Sequence, residues 1–469
     1  MSILTTLAGR TLTFLCMTVL STNALAQKDA TKVINTHEYQ LSNGMKVLVR
    51  EDHRAPTVAH MVWYRAGSID EVNGKTGVAH VLEHMMFKGT KNLKPGEFSK
   101  KVAAVGGRDN AFTSKDYTAY FQQIEKSHLP AMMALEADRM ANLQISKEEF
   151  AKEIQVVMEE RRLRTDDQSQ AIVYEQLMAT AFTNSPYRNP IIGWMDDLKN
   201  LSHQDALEWY RDWYAPNNAV LVVSGDVTPL EVLSLAEKYY GPIPARAIKE
   251  RKPQIEIPQI GTKRIVVKAP AENPDITMAW KVPKIQADHL NDIEPYALSV
   301  LSAILDGHAN SRLNRQMVRD LRIADSVDAS YGMSGRGPQL FTISASPAKG
   351  KKVDLMEQKI KAILQEIKTN GVTEAELNRV KAQLVSSQIY KRDSIFAQAM
   401  EIAIAEINGI SWRYLDDMIL NVQKVQSADI QKVVKKYFVD DQLTVAILDP
   451  QPINKGVNTL RTAPAGMRH

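Results

Sequence analysis

Two histidines and a glutamate lie close together in one apolar segment. Residues 77–87 read Gly-Val-Ala-His-Val-Leu-Glu-His-Met-Met-Phe, which places His80, Glu83 and His84 at positions i, i+3 and i+4. In an α-helix these positions share one face. Two imidazoles there can bind one Zn²⁺, and the carboxylate can take a proton from a metal-bound water. The spacing predicts a catalytic zinc helix; the alternative, three polar side chains buried without a metal, is costly.

A third ligand has to come from another element, and the best candidate is the helical pattern at 147–164. Glu153 and Glu160 lie seven residues apart on this segment and share a face, whereas Glu159 points elsewhere. The residues alone leave two questions open. Either Glu153 or Glu160 can be the ligand, and the helix can also be a charged surface helix with Glu/Arg pairs.

The order His-x-x-Glu-His, with Glu160 76 residues after His84, resembles the signature of the pitrilysin/insulinase family of zinc peptidases. The resemblance covers nearly the whole chain after residue 26. It is strongest to the two-domain branch, with the mitochondrial processing peptidase beta subunit and bacterial periplasmic zinc-subunit homologues. It implies one Zn²⁺ per chain, Glu160 as third ligand and Glu153 as a supporting carboxylate. Glu83 would act as general base.

A second motif is the glycine-led segment 106–114, Gly-Gly-Arg-Asp-Asn-Ala-Phe-Thr-Ser. By itself it predicts a turn that enters a strand. In the family that the chain resembles, this segment is an edge strand beside the zinc, which implies that Asn110, Ala111 and Phe112 bind substrate. An edge strand has unpaired N–H and C=O groups to which an extended peptide can add.

Two halves with a similar order of elements position these motifs. Residues 241–262 are rich in Pro, Lys and Arg and have little periodicity, which is typical of a linker. Trp-Met-Asp-Asp at 194–197 has a counterpart in Tyr-Leu-Asp-Asp at 414–417, although chance similarity between helices is an alternative. We predict an α+β fold of two homologous domains, each an antiparallel-rich sheet packed with helices. The resemblance implies half of a clamshell whose chamber admits unfolded peptides.

The domain and element bounds follow from the same patterns. The predicted domains are a zinc-binding peptidase domain at 27–245, a linker at 246–262, a homologous domain without a metal site at 263–455, and a flexible tail at 456–469. Predicted strands are 44–50, 58–65, 219–223, 264–267, 276–282 and 443–448, and predicted helices are 77–87, 95–105, 127–142, 147–164, 229–240, 295–305 and one from about 373. Ser146 and Glu149 have the spacing of a capping box.

The N-terminus has the pattern of a signal peptide. Arg10 precedes the apolar run 11–20, and Ala-Leu-Ala at 24–26 fits a cleavage site, so we predict a cleaved signal at 1–26 and a periplasmic protein. An uncleaved anchor is the alternative. The only cysteine, Cys16, lies in this segment, which excludes disulfides, thiolate ligands and a cysteine nucleophile from the mature chain.

Composition excludes two classes of partner. The 58 basic and 54 acidic residues of the 469 give a net charge of +4, with no basic run, so no nucleic acid partner is expected. No later segment has 18 consecutive apolar residues, so no stable membrane insertion is expected after signal cleavage.

The second half departs from the metal motif. By alignment, Leu298, Leu301 and Ser302 occupy the positions of the first-half motif, and Ser387 that of Glu160. None of these side chains is a usual zinc ligand. The second half is therefore predicted to be structural or substrate-enclosing.

A further departure concerns an Arg-x6-Tyr pair that active family members carry after a Ser-Arg-Leu segment. The segment is present at 311–313, but Val318 and Asp325 occupy the positions of the pair. Neither can stabilise an oxyanion. The chain is thus predicted to be a zinc-dependent endopeptidase whose homologous partner subunit supplies Arg and Tyr. The alternatives are a self-sufficient homodimeric peptidase, with Arg319 or Arg322 as donor, and a non-catalytic scaffold subunit.

Overall fold

The computed structural model describes residues 36–453. The predicted signal peptide at 1–26 with Cys16, and the predicted tail at 456–469, lie outside the described residues. Within the described range, no helix has both the length and the apolar composition needed to cross a bilayer.

The first half contains both strands and helices, in groups along the chain. Its strands are β1 Thr36–Gln40, β2 Lys46–Glu51, β3 Thr57–Tyr64, β4 Arg108–Thr113, β5 Thr118–Glu125 and β6 Ala219–Gly225. Its helices are α1 Val78–Met85, α2 Glu97–Ala104, α3 Leu129–Asn142, α4 Lys147–Arg161, α5 Ser169–Ala181, α6 Met195–Asn200, α7 His203–Trp213 and α8 Pro229–Tyr239. A π-helical turn, Arg162–Asp166, extends α4.

The second half contains fewer strands and longer helices. Its strands are β7 Lys263–Pro270, β8 Asp275–Val282, β9 Ala324–Tyr331, β10 Gln339–Pro347 and β11 Leu443–Gln451. Its helices are α9 Ile293–Asp306, α10 Val353–Asn370, α11 Glu374–Lys391, α12 Ile395–Ile407, α13 Leu415–Lys424 and α14 Ser427–Tyr437. A π-helical turn, Asn314–Asp320, lies between α9 and β9.

The two sheets repeat one topology. The strand order is β1-β2-β6-β3-β5-β4 in the first sheet and β7-β11-β8-β10-β9 in the second. The pairs β2/β6 and β7/β11 are parallel, and the pairs that follow them in each sheet are antiparallel. Apart from β1 the two orders correspond strand for strand. The predicted α+β fold of two homologous halves is thereby confirmed, whereas the exact domain boundaries stay predictions.

Each sheet is covered partly by a helix of the other half. Helix α12 packs on the first sheet through four buried side chains, Ala399, Ile402, Ala403 and Ile407, which contact Leu48, Met61, Trp63 and Val222. Helix α5 packs on the second sheet, where Val173 and Leu177 contact Ala279, Ala446 and Leu448. Each half covers one face of its own sheet with its own helices, and the other face is buried in part by a helix of the other half.

The predicted elements are present with ends shifted by a few residues, but the capping box at Ser146 forms only in part. The Ser146 hydroxyl accepts from the backbone N–H of Glu149 at 3.1 Å. The Glu149 carboxylate instead accepts from Lys152 Nζ at 2.7 Å, so the reciprocal bond of the predicted box is replaced by an ion pair.

We expect the exchanged helix to carry much of the stability of the first half. Replacing Ile402 with alanine leaves a cavity between α12 and the first sheet and should lower the free energy of unfolding by about 2–5 kcal/mol. Urea unfolding would measure this change. The control is Leu420→Ala on α13, whose side chain is 49% exposed and whose loss should cost no more than about 0.5 kcal/mol. Equal effects of the two substitutions would contradict the role assigned to α12.

Candidate metal centre

The helix that carries the two histidines begins at a glycine and is capped by a carboxylate that lies six residues before that glycine. Gly77 has φ 87°, and a Cβ there would lie 2.5 Å from the carbonyl oxygen of Ile192, so only glycine fits. The Glu71 carboxylate accepts from the backbone N–H groups of Gly77 and Ala79, at 2.9 Å each. These bonds satisfy donors that the first helical turn leaves unpaired. Helix α1 is thus fixed at its N-terminus.

The predicted ligands converge on one point. His84 Nε2 lies 3.3 Å from Glu160 Oε2, and His80 Nε2 lies 3.8 Å from the same oxygen. One ligand atom from each of the three residues lies within 4.8 Å of the others. Helix α1 supplies the imidazoles, and α4 packs against it to supply the carboxylate. Two imidazole nitrogens and one carboxylate oxygen form the donor set of a three-ligand catalytic zinc site, so these residues fit the metal.

Glu153 lies behind His84, not beside the point of convergence. The Nδ1–H of His84 donates to Glu153 Oε1 at 2.9 Å, and Lys88 Nζ lies 2.5 Å from Glu153 Oε2. Such a carboxylate fixes the tautomer and the ring orientation of a ligand histidine. The structure therefore separates the two glutamates that periodicity could not distinguish: Glu160 faces both histidines, and Glu153 supports one of them.

Glu160 is completely buried, and its charge is balanced by cations. Arg164 Nη1, in the π-helical turn, lies 2.8 Å from Glu160 Oε1. Burial would raise the pKa of Glu160, but the hydrogen bond from His84 and the charges of His80, His84 and Arg164 lower it to about 2. The carboxylate is therefore ionised, as a metal ligand must be. Glu159 pairs with Arg162 at 2.7 Å, away from this site.

Glu83 has the environment of a general base. Burial raises the pKa of Glu83 to about 7 in the metal-free site, against the opposing hydrogen bond that Thr113 Oγ1 donates to Glu83 Oε2. A carboxylate with a pKa near the working pH can both accept and return a proton. Thr113 is the last residue of β4, so this bond joins the Glu83 carboxylate to the edge strand.

The predicted substrate strand forms one wall of a cleft beside the histidines. Strand β4 pairs with β5 on one side only. The cleft has a volume of about 800 Å³, and its lining includes His80, Glu83, Glu160, Asn110, Ala111, Phe112 and, from the second half, Phe396 and Met400. Ala111 is buried as a whole residue, whereas Asn110 and Phe112 on either side of it are partly exposed. The three residues predicted to bind substrate thus line the same cleft as the predicted metal ligands His80 and Glu160.

The positions predicted for the Arg/Tyr pair lie elsewhere. Val318 packs against the second hydrophobic core, and Asp325 is exposed near the start of the edge strand β9. Arg319 donates to Asn310, and Tyr331, the first tyrosine after Asp325 along the chain, donates its hydroxyl to the carbonyl of Pro283 at 2.6 Å. Among the described residues that line the cleft, none of these four side chains is present, and neither is Arg322.

Sequence reasoning missed the residues that hold the site in place. The glycine-led motif assigns Thr113 no role, and no sequence motif assigns a role to Glu71, Lys88 or Arg164. Lys88 and Arg164 each lie four residues after a metal-site residue, at His84 and Glu160, so helical spacing offered a signal for them. Glu71 gave no such signal, because its partners are backbone N–H groups.

Zinc binding should release a proton from His84. Burial lowers the pKa of His84, but hydrogen bonds to Glu153 and Glu160 raise it to about 9, so at pH 7 the metal-free ring is charged. Zinc binds neutral imidazole, so about one proton should leave this ring as the metal binds. Titration calorimetry in buffers of different ionisation enthalpy would count released protons. Glu153→Gln should reduce the count, since it removes a carboxylate that raises this pKa; an unchanged count would contradict the assignment.

Known protein families and relatives match nearly the whole described chain. The family described as insulinase (peptidase family M16) matches residues 46–194, and the peptidase M16 inactive domain matches residues 200–384. The zinc protease PqqE of Helicobacter pylori is 31% identical over 440 residues, which cover 91% of this chain and 95% of that protein.

Two further comparisons extend this likeness. The probable mitochondrial-processing peptidase subunit beta of Schizosaccharomyces pombe is 27% identical over 446 residues, covering 90% of this chain and 93% of that protein. The crystal structure of a protease from Helicobacter pylori superposes with a TM-score of 0.85 at 30% identity, covering 89% of this chain and all of that chain. The fold of this chain is therefore shared with a solved protease of 30% sequence identity.

Proposed function

The chain belongs to the insulinase family of peptidases, peptidase family M16, and on this premise we propose that it is a zinc-dependent endopeptidase that hydrolyses unfolded peptides. One observation carries the proposal. His80, His84 and Glu160 converge within 4.8 Å of one another, with Glu83 beside them and an unpaired strand edge along the same cleft.

The residues of the chain divide the work as follows. His80, His84 and Glu160 would hold the metal, which when bound would acidify a water and polarise a peptide carbonyl. Glu83 accepts the proton of the attacking water at its carboxylate and passes it to the leaving amine. Thr113 orients that carboxylate through its hydroxyl. Glu153 holds the His84 ring in the orientation that presents Nε2.

Strand β4 explains why the substrate should be unfolded. Its free edge offers backbone N–H and C=O groups, and a substrate segment can add there only in an extended conformation. A folded protein has already paired most of these groups. The added strand would lie between Asn110–Phe112 and the three metal-ligand candidates. One of its peptide carbonyls would then lie next to the metal site.

We also propose that the active unit includes a homologous partner subunit that supplies an Arg/Tyr pair. The support is the location of Val318 and Asp325 outside the lining of the cleft. A relative is named as a beta subunit, which is consistent with an assembly of this kind. The predicted signal at 1–26 places the protein in the periplasm in this proposal.

Glu83→Gln should abolish turnover and leave the metal site intact. The amide cannot accept the water proton, so kcat should fall by about 10²–10⁴-fold, while zinc content stays at one per chain. Peptide hydrolysis and elemental analysis would measure the two effects. His84→Ala is the matched control, since it should lose both zinc and turnover. Substantial hydrolysis by the Glu83→Gln protein would refute its role as base.

The partner proposal is tested by comparing the chain alone with the complex captured from the native host. We expect the captured complex to hydrolyse peptides at least about tenfold faster than the purified chain, since the partner adds oxyanion donors. Molecular size would be measured alongside activity. Full activity of the chain alone, as a monomer or homodimer, would overturn the proposal. Absence of zinc from the purified protein would favour the scaffold alternative.

A further inference from the structure

A loop of the second half reaches across to the first half and is anchored there by an arginine. The segment 332–338 joins β9 to β10, and the Arg336 guanidinium binds Asp70 with both of its terminal nitrogens, at 2.7 and 2.6 Å. The Asp70 side chain is only 3% exposed. It also accepts from Arg251 Nε, in the predicted linker, at 3.0 Å. A buried carboxylate is therefore held by two arginines from outside its own domain.

The same arginine binds a second carboxylate residue. The backbone N–H of Arg336 donates to Asp116 Oδ2 at 3.1 Å, and its Nη1 donates to the carbonyl oxygen of Asp116 at 3.0 Å. The Tyr187 hydroxyl donates to the same Asp116 carboxylate at 2.6 Å. The loop lies directly on this tyrosine, since a Cβ at Gly337 would come within 2.7 Å of its ring. Arg336 thus makes specific hydrogen bonds to two residues of the first half, Asp70 and Asp116.

The first of these two contacts leads to the metal helix. Asp70 ends the short helical turn Ser68–Asp70, and the next residue is Glu71. Glu71 is the residue whose carboxylate caps α1 at Gly77 and Ala79. Only one peptide bond separates the residue that Arg336 holds from the residue that fixes the start of the metal helix.

The second contact leads to the substrate strand. Asp116 lies in the turn 114–117 between β4 and β5, which Ser114 closes by donating its N–H to the carbonyl of Tyr117 at 2.7 Å. This turn is also bonded to the Ser68–Asp70 segment, because Ile69 N–H donates to the carbonyl of Lys115 at 2.8 Å. Thr113, which binds Glu83, immediately precedes the turn.

We propose that Arg336 is a positioning residue that sets the metal helix and the substrate strand relative to each other. The proposal rests on the proposed peptidase function. A guanidinium suits the task because it donates two parallel bonds to one carboxylate and a third bond elsewhere. Removing its side chain leaves the buried Asp70 carboxylate with Arg251 as its remaining arginine partner and breaks the bond to the Asp116 carbonyl oxygen, so both elements lose a common anchor. The second half therefore acts on catalysis without contributing a metal ligand.

Hydrogen exchange of the zinc-loaded protein tests this directly. In Arg336→Met, backbone amides in 67–85 and 108–117 should exchange about tenfold faster or more, because both segments lose their shared anchor. At saturating peptide, kcat should fall by about tenfold to hundredfold with zinc still at one per chain. Arg336→Lys keeps the charge but not the paired bonds, and it should restore part of both quantities. If the Arg336→Met protein does not fold, the Arg336→Lys protein is used for the same two measurements.

The matched control is Arg413→Met, which removes another ion pair between the halves, that of Arg413 with Glu38. It should leave exchange in 67–85 and 108–117 unchanged. Equal exchange in the Arg336→Met and Arg413→Met proteins would overturn the proposal, as would full kcat in Arg336→Met despite faster exchange. Exchange needs no substrate, so a captured wild-type complex that cleaves no peptide would refute the proposed function while hydrogen exchange still tests the anchoring.

Discussion

The structure depends on one electrostatic constraint, the burial of three carboxylates around two imidazoles. Glu83, Glu153 and Glu160 share a volume from which water is nearly excluded. Burial of charges at this density is unfavourable unless each has a partner. Lys88 and Arg164 approach from the rim, and a divalent cation at the point of convergence would supply the remaining positive charge. The packing of α1 on α4 is therefore favoured by a cation between the two helices, as a metal site would provide.

The duplicated topology shows what happens when this constraint is removed. Helix α9 of the second half holds buried Leu298 and Leu301 where the first half has His80 and Glu83, and Ser302 donates its hydroxyl to the carbonyl of Ala329. Its surroundings form an ordinary apolar core. Among its described residues, the second half has no buried charged cluster at this position. Its contribution to the site is structural: α12 packs on the first sheet, and the loop 332–338 binds residues that flank the site.

Local patterns predicted the parts of the site that lie within one helix. His80, Glu83 and His84 follow from helical spacing alone, and β4 follows from its glycine-led start. The choice between Glu153 and Glu160 did not, since both lie on one face and only the packing of α4 distinguishes them; the family resemblance was needed. Arg336 and Asp70 are 266 residues apart, so no local pattern connects them. The packing of α5 and α12 on the sheet of the other half likewise depends on tertiary contacts, which local sequence patterns do not predict.

The exchange of helices also sets an order of events during synthesis. Lys46 on β2 and Glu406 on α12 form an ion pair although 360 residues separate them, and the apolar face between β2 and β3 stays open until α12 has been made. Contacts of such long range form slowly, and a nascent chain exposes that face to aggregation in the meantime. All residues of the first half are therefore synthesised before the helix that covers the outer face of its sheet. The outer face of the first sheet is thus covered only when residues 395–407 are present, late in the chain.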